Sequence, residues 1–407
     1  MAVLFLAERM ITPLEEYGPA AVLVEEDTIV AIGRSKEVPK PEEAEVVDLG
    51  RHCLVPGFVD IHIHGGLGKR ASEGCAAVEK IAAYLPATGT TSWLPTISAG
   101  KEIAGVLEAK ERQQNGAIGG AIIEGIHLEG PYLAPKNLPG SAPEDNVPPR
   151  PSVSEYLAMW QAAGGQLKLM GLAPELDQAL AVIAEMRRTG VVAAIAHSKA
   201  DYELFNRAVS AGLRHATHTY NVMSGLHHRK PGIVGGVLTN DQVTAELIAD
   251  GYHVHPAAME ILLRCKGPDK VCLVTDNTQW AGLPDGDYGT VIKENGVVRK
   301  KGYGPEVDHT LAGSVWPMNR CVANIAAVLG GCLRPAVQMA TLNPARVIGL
   351  DGRIGSLEVG KEANFLAVDD EVNVHLAVVK GRVEWQSGQL KMMVKKEATG
   401  GGGMVGH

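Results

Sequence analysis

The feature that most constrains the fold is an alternation. Short β-rich runs recur at 58–64, 91–97, 121–128, 167–173, 191–196, 215–220, 245–249 and 270–275. Helical stretches such as 76–85, 176–189 and 202–211 fall between them. Strands alternating with helices predict a parallel sheet, since each crossover returns the chain to the same edge. Eight such units over roughly 250 residues suit an α/β (β/α)₈ TIM-like barrel. A doubly wound open sheet is the second reading, because alternation alone does not close a sheet.

The flanks break this rhythm. Residues 1–55 read as short strands at 21–24, 29–32 and 45–48, separated by acidic and Pro-Lys-Pro turns. After 351 the pattern is again strand and turn. The economical organisation is one small β-sandwich built from both chain ends, 1–55 and 351–395, around a barrel at 56–350. The Gly-rich stretch 396–407 reads as a flexible tail, which removes His407 from consideration.

Bulk properties narrow the function. The chain has 407 residues, a net charge of −8 and a pI near 6.0. That balance argues against a nucleic-acid surface. No apolar run is long enough to span a bilayer, and the first residues lack a basic signal-peptide region, so the cytoplasm is the expected location. Six cysteines without a C-x-x-C pair read as reduced, buried small hydrophobes.

The chemistry concentrates at the ends of the expected strands, where a (β/α)₈ barrel carries its active site. Pro56-Gly-Phe-Val-Asp-Ile-His-Ile-His-Gly65 places His62 and His64 at i and i+2, on one face of a strand. Strand three ends in Glu129, strand five in His197, strand six carries His218, and strand eight ends in Asp276. A lone histidine at a barrel mouth is more often a hydrogen-bonded wall residue than a ligand. Two on one strand and one metal-type group on each of four others reverse that weighting. Four histidines and a carboxylate can hold one or two divalent ions, with Glu129 bridging if there are two. Such an ion lowers the pKa of water to about 7. Asp276 then suits the general base that passes a proton to the leaving group. No G-x-S-x-G nucleophile motif stands out, so hydrolysis is the direct reading.

The His-x-His start, the strand-end His, His and Asp, and the stretch Asn343-Pro-Ala-Arg346 with its Gly-Ser-Leu-Glu-Val-Gly-Lys sequel resemble the amidohydrolase superfamily. His127-Leu-Glu-Gly-Pro-Tyr132, Thr217-His-Thr-Tyr-Asn-Val-Met223, Ala249-Asp-Gly-Tyr-His-Val254 and Leu311-Ala-Gly-Ser314 are similar, more narrowly, to N-acetylglucosamine-6-phosphate deacetylases. The likeness runs from about 22 to 369. It implies Glu129, His197 and His218 as principal metal ligands, His62 and His64 as support for a second ion, and Asp276 as catalytic acid/base. It implies Asn221, the backbone amide of Val222, His253 and Arg229 as phosphate contacts. The arginine comes from a neighbouring subunit in that family, which implies a homodimer. Zinc is the first-choice metal, with iron, cobalt and manganese compatible.

The expected activity is metal-dependent removal of acetate from an N-acetylhexosamine 6-phosphate, with N-acetylglucosamine 6-phosphate the first-choice substrate. The alternatives are N-acetylgalactosamine 6-phosphate, another amide, and a non-catalytic binding protein, the last disfavoured because every ligand is present. Three departures surround the sugar site: Val222 where the family has Ala, Asn277 and Trp280 after Asp276, and no histidine between 131 and 150. They predict intact hydrolytic machinery with an altered sugar preference or rate. His215 and His127 are expected to be wall or supporting residues, and His255 to have no role in the site.

Overall fold

The computed structural model describes residues 2–135, 147–301, 311–388, 390 and 393–395. The expected tail at 396–407 and most of the histidine-free stretch, 136–146, lie outside the described residues.

Eight parallel strands form the central sheet: β1 Phe58–Ile63, β2 Thr90–Ile97, β3 Ile126–Glu129, β4 Leu167–Leu172, β5 Val192–Ile195, β6 His215–Ala216, β7 Thr244–Ile248 and β8 Val271–Val274. Each pairs with its neighbour in order from β1 to β8. The seam is joined by a parallel bridge between Ile63 and Asn277, and Asp276 N–H donates to His62 C=O at 2.9 Å. The doubly wound reading is thereby set aside. Val59, Leu94, Leu169, Ala194, Ile248 and Val274 come from six of the strands and share one buried cluster. Only the inside of a closed barrel gathers side chains in this way, so it is a packed core.

Helices α1 Cys75–Tyr84, α2 Ile103–Gln114, α3 Val153–Ala162, α4 Ala179–Thr189, α5 Tyr202–Ala211, α6 Gly232–Thr239 and α7 Pro256–Lys266 join successive strands. Local chemistry sets their starts. Asp201 caps α5 by accepting from Leu204 N–H. His255 caps α7 by accepting from Ala257 N–H, which gives that histidine a structural task.

The chain ends meet in two further sheets. One orders Met393–Lys395, Glu45–Asp48, Ala2–Ala7, Ala20–Glu25 and Thr28–Arg34. The other orders Arg382–Gln386, Val374–Val379, Phe365–Val368, Cys53–Pro56, Arg9–Ile11 and Glu16–Tyr17. Phe5 meets Phe365 edge to face at 4.8 Å, within a core shared by both sheets. That is the sandwich built from both ends.

Several expectations are corrected. The third run is split into Ile122–Ile123 and β3, because Glu124 N–H bonds Trp93 C=O while Ile126 N–H turns to Gln166 C=O. The sixth strand ends at Ala216, so His218 stands on the turn beyond it. Not all cysteines are buried: Cys265 and Cys332 are exposed, Cys75 is half-buried, and all six are free thiols. A three-stranded antiparallel sheet, Gly286–Asp287, Val291–Glu294 and Val297–Lys300, was not foreseen. Its signal was Asn295-Gly296 between two β-branched runs; both residues take positive φ, as a tight hairpin turn requires.

Candidate active site

Every metal-type residue singled out from the sequence comes to the C-terminal end of the barrel. His62, His64 and Asp276 form one group, and Glu129, His197 and His218 another. Glu129 joins them. Its Oε1 lies 2.9 Å from His197 Nε2 and 3.0 Å from His218 Nε2, and its Oε2 lies 3.2 Å from His64 Nε2. His62 Nε2 is 3.2 Å from His64 Nε2 and 3.5 Å from Asp276 Oδ1. His64 Nε2 is 3.4 Å from the same oxygen.

The backbone is bent to achieve this. His197, His218 and Asp276 take φ of 44°, 29° and 49° just beyond their strands. Left-handed backbone costs a non-glycine residue of the order of 1–3 kcal/mol, and it concentrates at functional sites. Here it turns three side chains of different strands toward one point.

The donor chemistry fits a divalent cation. Pairs of imidazole Nε2 atoms face each other at 3.2 Å (His62, His64) and 3.1 Å (His197, His218), and rings protonated at Nδ1 turn two lone pairs toward one place that a cation can fill. The charge balance says the same. Burial pushes the His62 imidazolium down, but Glu246, Asp276 and Glu129 pull it up to about 10. His218 is likewise raised, because Glu129 outweighs burial. Glu129 is held well below the usual carboxylate range: burial opposes its charge, and the imidazoles of His197, His218 and His64 outweigh it. The site asks for positive charge at its centre, which a bound cation satisfies while the histidines stay neutral.

Glu246 on β7 was missed. It is fully buried and bonds His62, His215 and the backbone of His218. Its signal was a carboxylate inside the otherwise apolar run at 245–249. His215 is its partner as well as a wall residue. His127 is buried below the site, its Nδ1 at 3.2 Å from Thr96 Oγ1 and 3.1 Å from Ile61 C=O, and its ring edge-on to His62.

Both groups open on a cleft of about 300 Å³, lined also by Asn221, Val222, His253, Thr278 and Lys300. His253 Nδ1 bonds Asp250 Oδ2 at 2.6 Å, which orients the ring. Lys300 was not anticipated; it comes from the unforeseen hairpin. Asn277 is buried behind the site, where its C=O accepts from His64 and Gly65 N–H. Trp280 lines a side lobe of about 280 Å³ that shares His64, Thr278 and Lys300 with the cleft. Arg229 is not among the described residues lining the cleft; it is exposed and donates to His228 Nε2 at 2.8 Å. A larger cavity, about 460 Å³, lies beside Ile122–Ile123 and contains Lys110, Glu124, Arg353 and Lys380. It holds no imidazole, and Arg353 there is paired with Glu124 and Glu362, so the chemistry belongs to the smaller cleft.

The chain is similar to known proteins over most of its length. Residues 53–384 match the model of the amidohydrolase family. The N-acetylglucosamine-6-phosphate deacetylase of Bacillus subtilis (strain 168) is 34% identical over 365 residues, covering 87% of this chain and 90% of the relative. The N-acetylgalactosamine-6-phosphate deacetylase of Escherichia coli O157:H7 is 35% identical over 352 residues, covering 84% and 91%. The structure of a mutant N-acetyl-D-glucosamine-6-phosphate deacetylase from Mycobacterium smegmatis, in complex with N-acetyl-D-glucosamine-6-phosphate, superposes with a TM-score of 0.82 at 30% identity, over 94% of this chain and 99% of that one.

Proposed function

The chain belongs to the N-acetylglucosamine-6-phosphate deacetylases of the metal-dependent amidohydrolase family, and we propose that it hydrolyses the acetamide of an N-acetylhexosamine 6-phosphate to acetate and the amino-sugar 6-phosphate. N-acetylglucosamine 6-phosphate is the first-choice substrate. The observation that carries this reading is one cleft holding Glu129, His197, His218, His64 and Asp276 together with Asn221, Val222 and His253.

The roles follow from position. Glu129, His197 and His218 would hold one divalent ion, and His62, His64 and Asp276 border a second place. When bound, such an ion supplies Lewis acidity, polarising the acetyl carbonyl and acidifying water. Asp276 accepts a proton from the attacking water as its oxygen bonds the acetyl carbon. It then delivers that proton to the amide nitrogen as the C–N bond breaks. Asn221, the Val222 amide and His253 take the phosphate. Arg229 stands outside the cleft of its own chain, which supports its donation to a neighbouring copy in a homodimer. No helix among the described residues is long and apolar enough to cross a membrane.

The N-acetylgalactosamine epimer is the second reading. It is favoured by the 35% identity to such an enzyme, against 34% for the glucosamine relative of Bacillus subtilis. Acetate release from both phosphorylated epimers and from their unphosphorylated parents, on zinc-loaded protein, tests both. Release confined to phosphorylated sugars supports the reading, and the faster epimer names the substrate. Release from none of them overturns it.

A further inference from the structure

Glu246 is a buried carboxylate at the site for which hydrolysis itself has no task. Its Oε2 lies 2.9 Å from His62 Nδ1 and 2.9 Å from the backbone nitrogen of His218. Its Oε1 lies 3.0 Å from His215 Nε2, whose ring meets Thr244 Oγ1 at 2.6 Å through Nδ1. An ionised carboxylate only accepts hydrogen bonds, so all three partners donate. The proton of neutral His62 is therefore held on Nδ1. Nε2 keeps a bare lone pair, and Nε2 is the atom that faces His64 Nε2 and Asp276 Oδ1.

We propose that Glu246 is a positioning residue that fixes His62 in this tautomer, and so decides whether the His62–His64–Asp276 group holds a second divalent ion. The inference rests on the metal-dependent reading above. The contacts are unequal across the site. Toward His62 the carboxylate bonds a ligand ring. Toward the Glu129–His197–His218 group it bonds only a backbone amide. Loss of Glu246 should therefore empty the place beside His62 and spare the one beside His218. A carboxylate that only supported the barrel would show no such asymmetry.

Glu246→Gln is the isosteric probe. If its NH₂ faces His62, Nδ1 must accept, the proton moves to Nε2, and the lone pair is lost. If the NH₂ faces His215 instead, His62 donates to a neutral carbonyl oxygen, which leaves its ring less basic. Both arrangements weaken metal binding, and partners of this kind are commonly worth ten- to a hundredfold in affinity.

The full chain is stripped of metal, titrated with zinc, desalted and assayed for metal by mass spectrometry. The expected result is two equivalents for the unsubstituted protein and one for Glu246→Gln, with the place beside His62 ten- to a hundredfold weaker. Glu124→Gln alters a buried carboxylate in the larger cavity, whose lining shares no residue with the cleft, and should keep both equivalents. Long-range ¹H–¹⁵N NMR of the zinc-loaded unsubstituted protein needs no variant to fold. It should show His62 protonated at Nδ1 and metal-shifted at Nε2. Two undiminished equivalents in Glu246→Gln, a single equivalent shared by both proteins, or a proton on His62 Nε2 overturns the inference while leaving the metal-dependent reading in place. No zinc bound by either protein removes both.

Discussion

Replacing Asp276 by asparagine should separate the chemistry from the architecture. The backbone bonds of Asp276, N–H to His62 C=O at 2.9 Å and C=O from Ser314 N–H at 3.2 Å, do not involve its side chain. Asparagine fills the same volume and tolerates the φ of 49° as well as aspartate does. The backbone framework should therefore hold. The reaction should not survive, because the amide cannot accept and return a proton. General acid–base catalysis is worth about 10²–10⁴-fold, or roughly 2.7–5.4 kcal/mol of barrier at about 1.36 kcal/mol per decade. A second readout follows from the charge. In metal-free protein, Asp276 Oδ1 lies 3.5 Å from His62 Nε2. A unit charge at that distance contributes roughly 5 kcal/mol of attraction at an effective dielectric of about 20. Removing it should lower the His62 pKa from about 10. Steady-state kinetics on metal-loaded enzyme and imidazole NMR on the stripped protein measure the two effects. A variant that stays folded, binds its metal and keeps more than a tenth of kcat/KM would refute the assignment of Asp276.

Arg229→Ala should raise KM for the phosphorylated sugar by about ten- to a hundredfold, the worth of a charge-assisted hydrogen bond of about 1.5–3 kcal/mol, with kcat little changed; unaltered KM removes the arginine from phosphate binding. Chelation should lower Tm: metal at about a hundred times Kd contributes about 2.7 kcal/mol, which across 407 residues amounts to about 3 °C, and a scan that chelator leaves unmoved contradicts the cation site. Gly236→Ala would set a Cβ 2.4 Å from Phe205 Cδ1, where α6 packs on α5. About 1–3 kcal/mol of stability should be lost to overpacking, and an unchanged urea midpoint would show that this contact yields freely. Asp369 lies 3.0 Å from His375 Nε2. Burial opposes its charge, but His375 and Asn373 outweigh burial and depress its pKa. Its stabilisation is therefore present above the ordinary carboxylate range and lost as pH falls through the depressed value; Asp369→Asn should flatten that acid limb by about 0.2–1 kcal/mol, and a limb of unchanged slope would count against the pairing.

The barrel was legible because its signals are local. Short β-rich runs and helical stretches write themselves into consecutive residues, and eight such units in order leave few arrangements. The strands at 58–64 and 167–173 needed only such information. The sixth did not follow it. Residues 217–220 have strand-like composition, yet His218 N–H is drawn to a carboxylate 28 residues away and the chain turns out of the sheet. The hairpin at 291–300 carries its signal in Asn295-Gly296, but it interrupts the strand–helix rhythm of the barrel.

The ligand set was legible for a different reason. Imidazole and carboxylate at strand ends can do little else in such numbers, so His62, His64, Glu129, His197, His218 and Asp276 announce their chemistry by type and position. What they do to one another was not written there. That Glu129 touches both groups, that Lys300 reaches the cleft, and that Arg229 misses its own all depend on where loops land after closure. Glu246 is the clearest case, since it meets His62 across 184 residues of sequence. By itself the sequence determined the strand rhythm, the donor chemistry and the family, because each is carried by residue type at short spacing. Only the tertiary structure decided which lone pairs meet at one point, because that depends on the register of strands joined at the barrel seam, a long-range condition that no local pattern encodes.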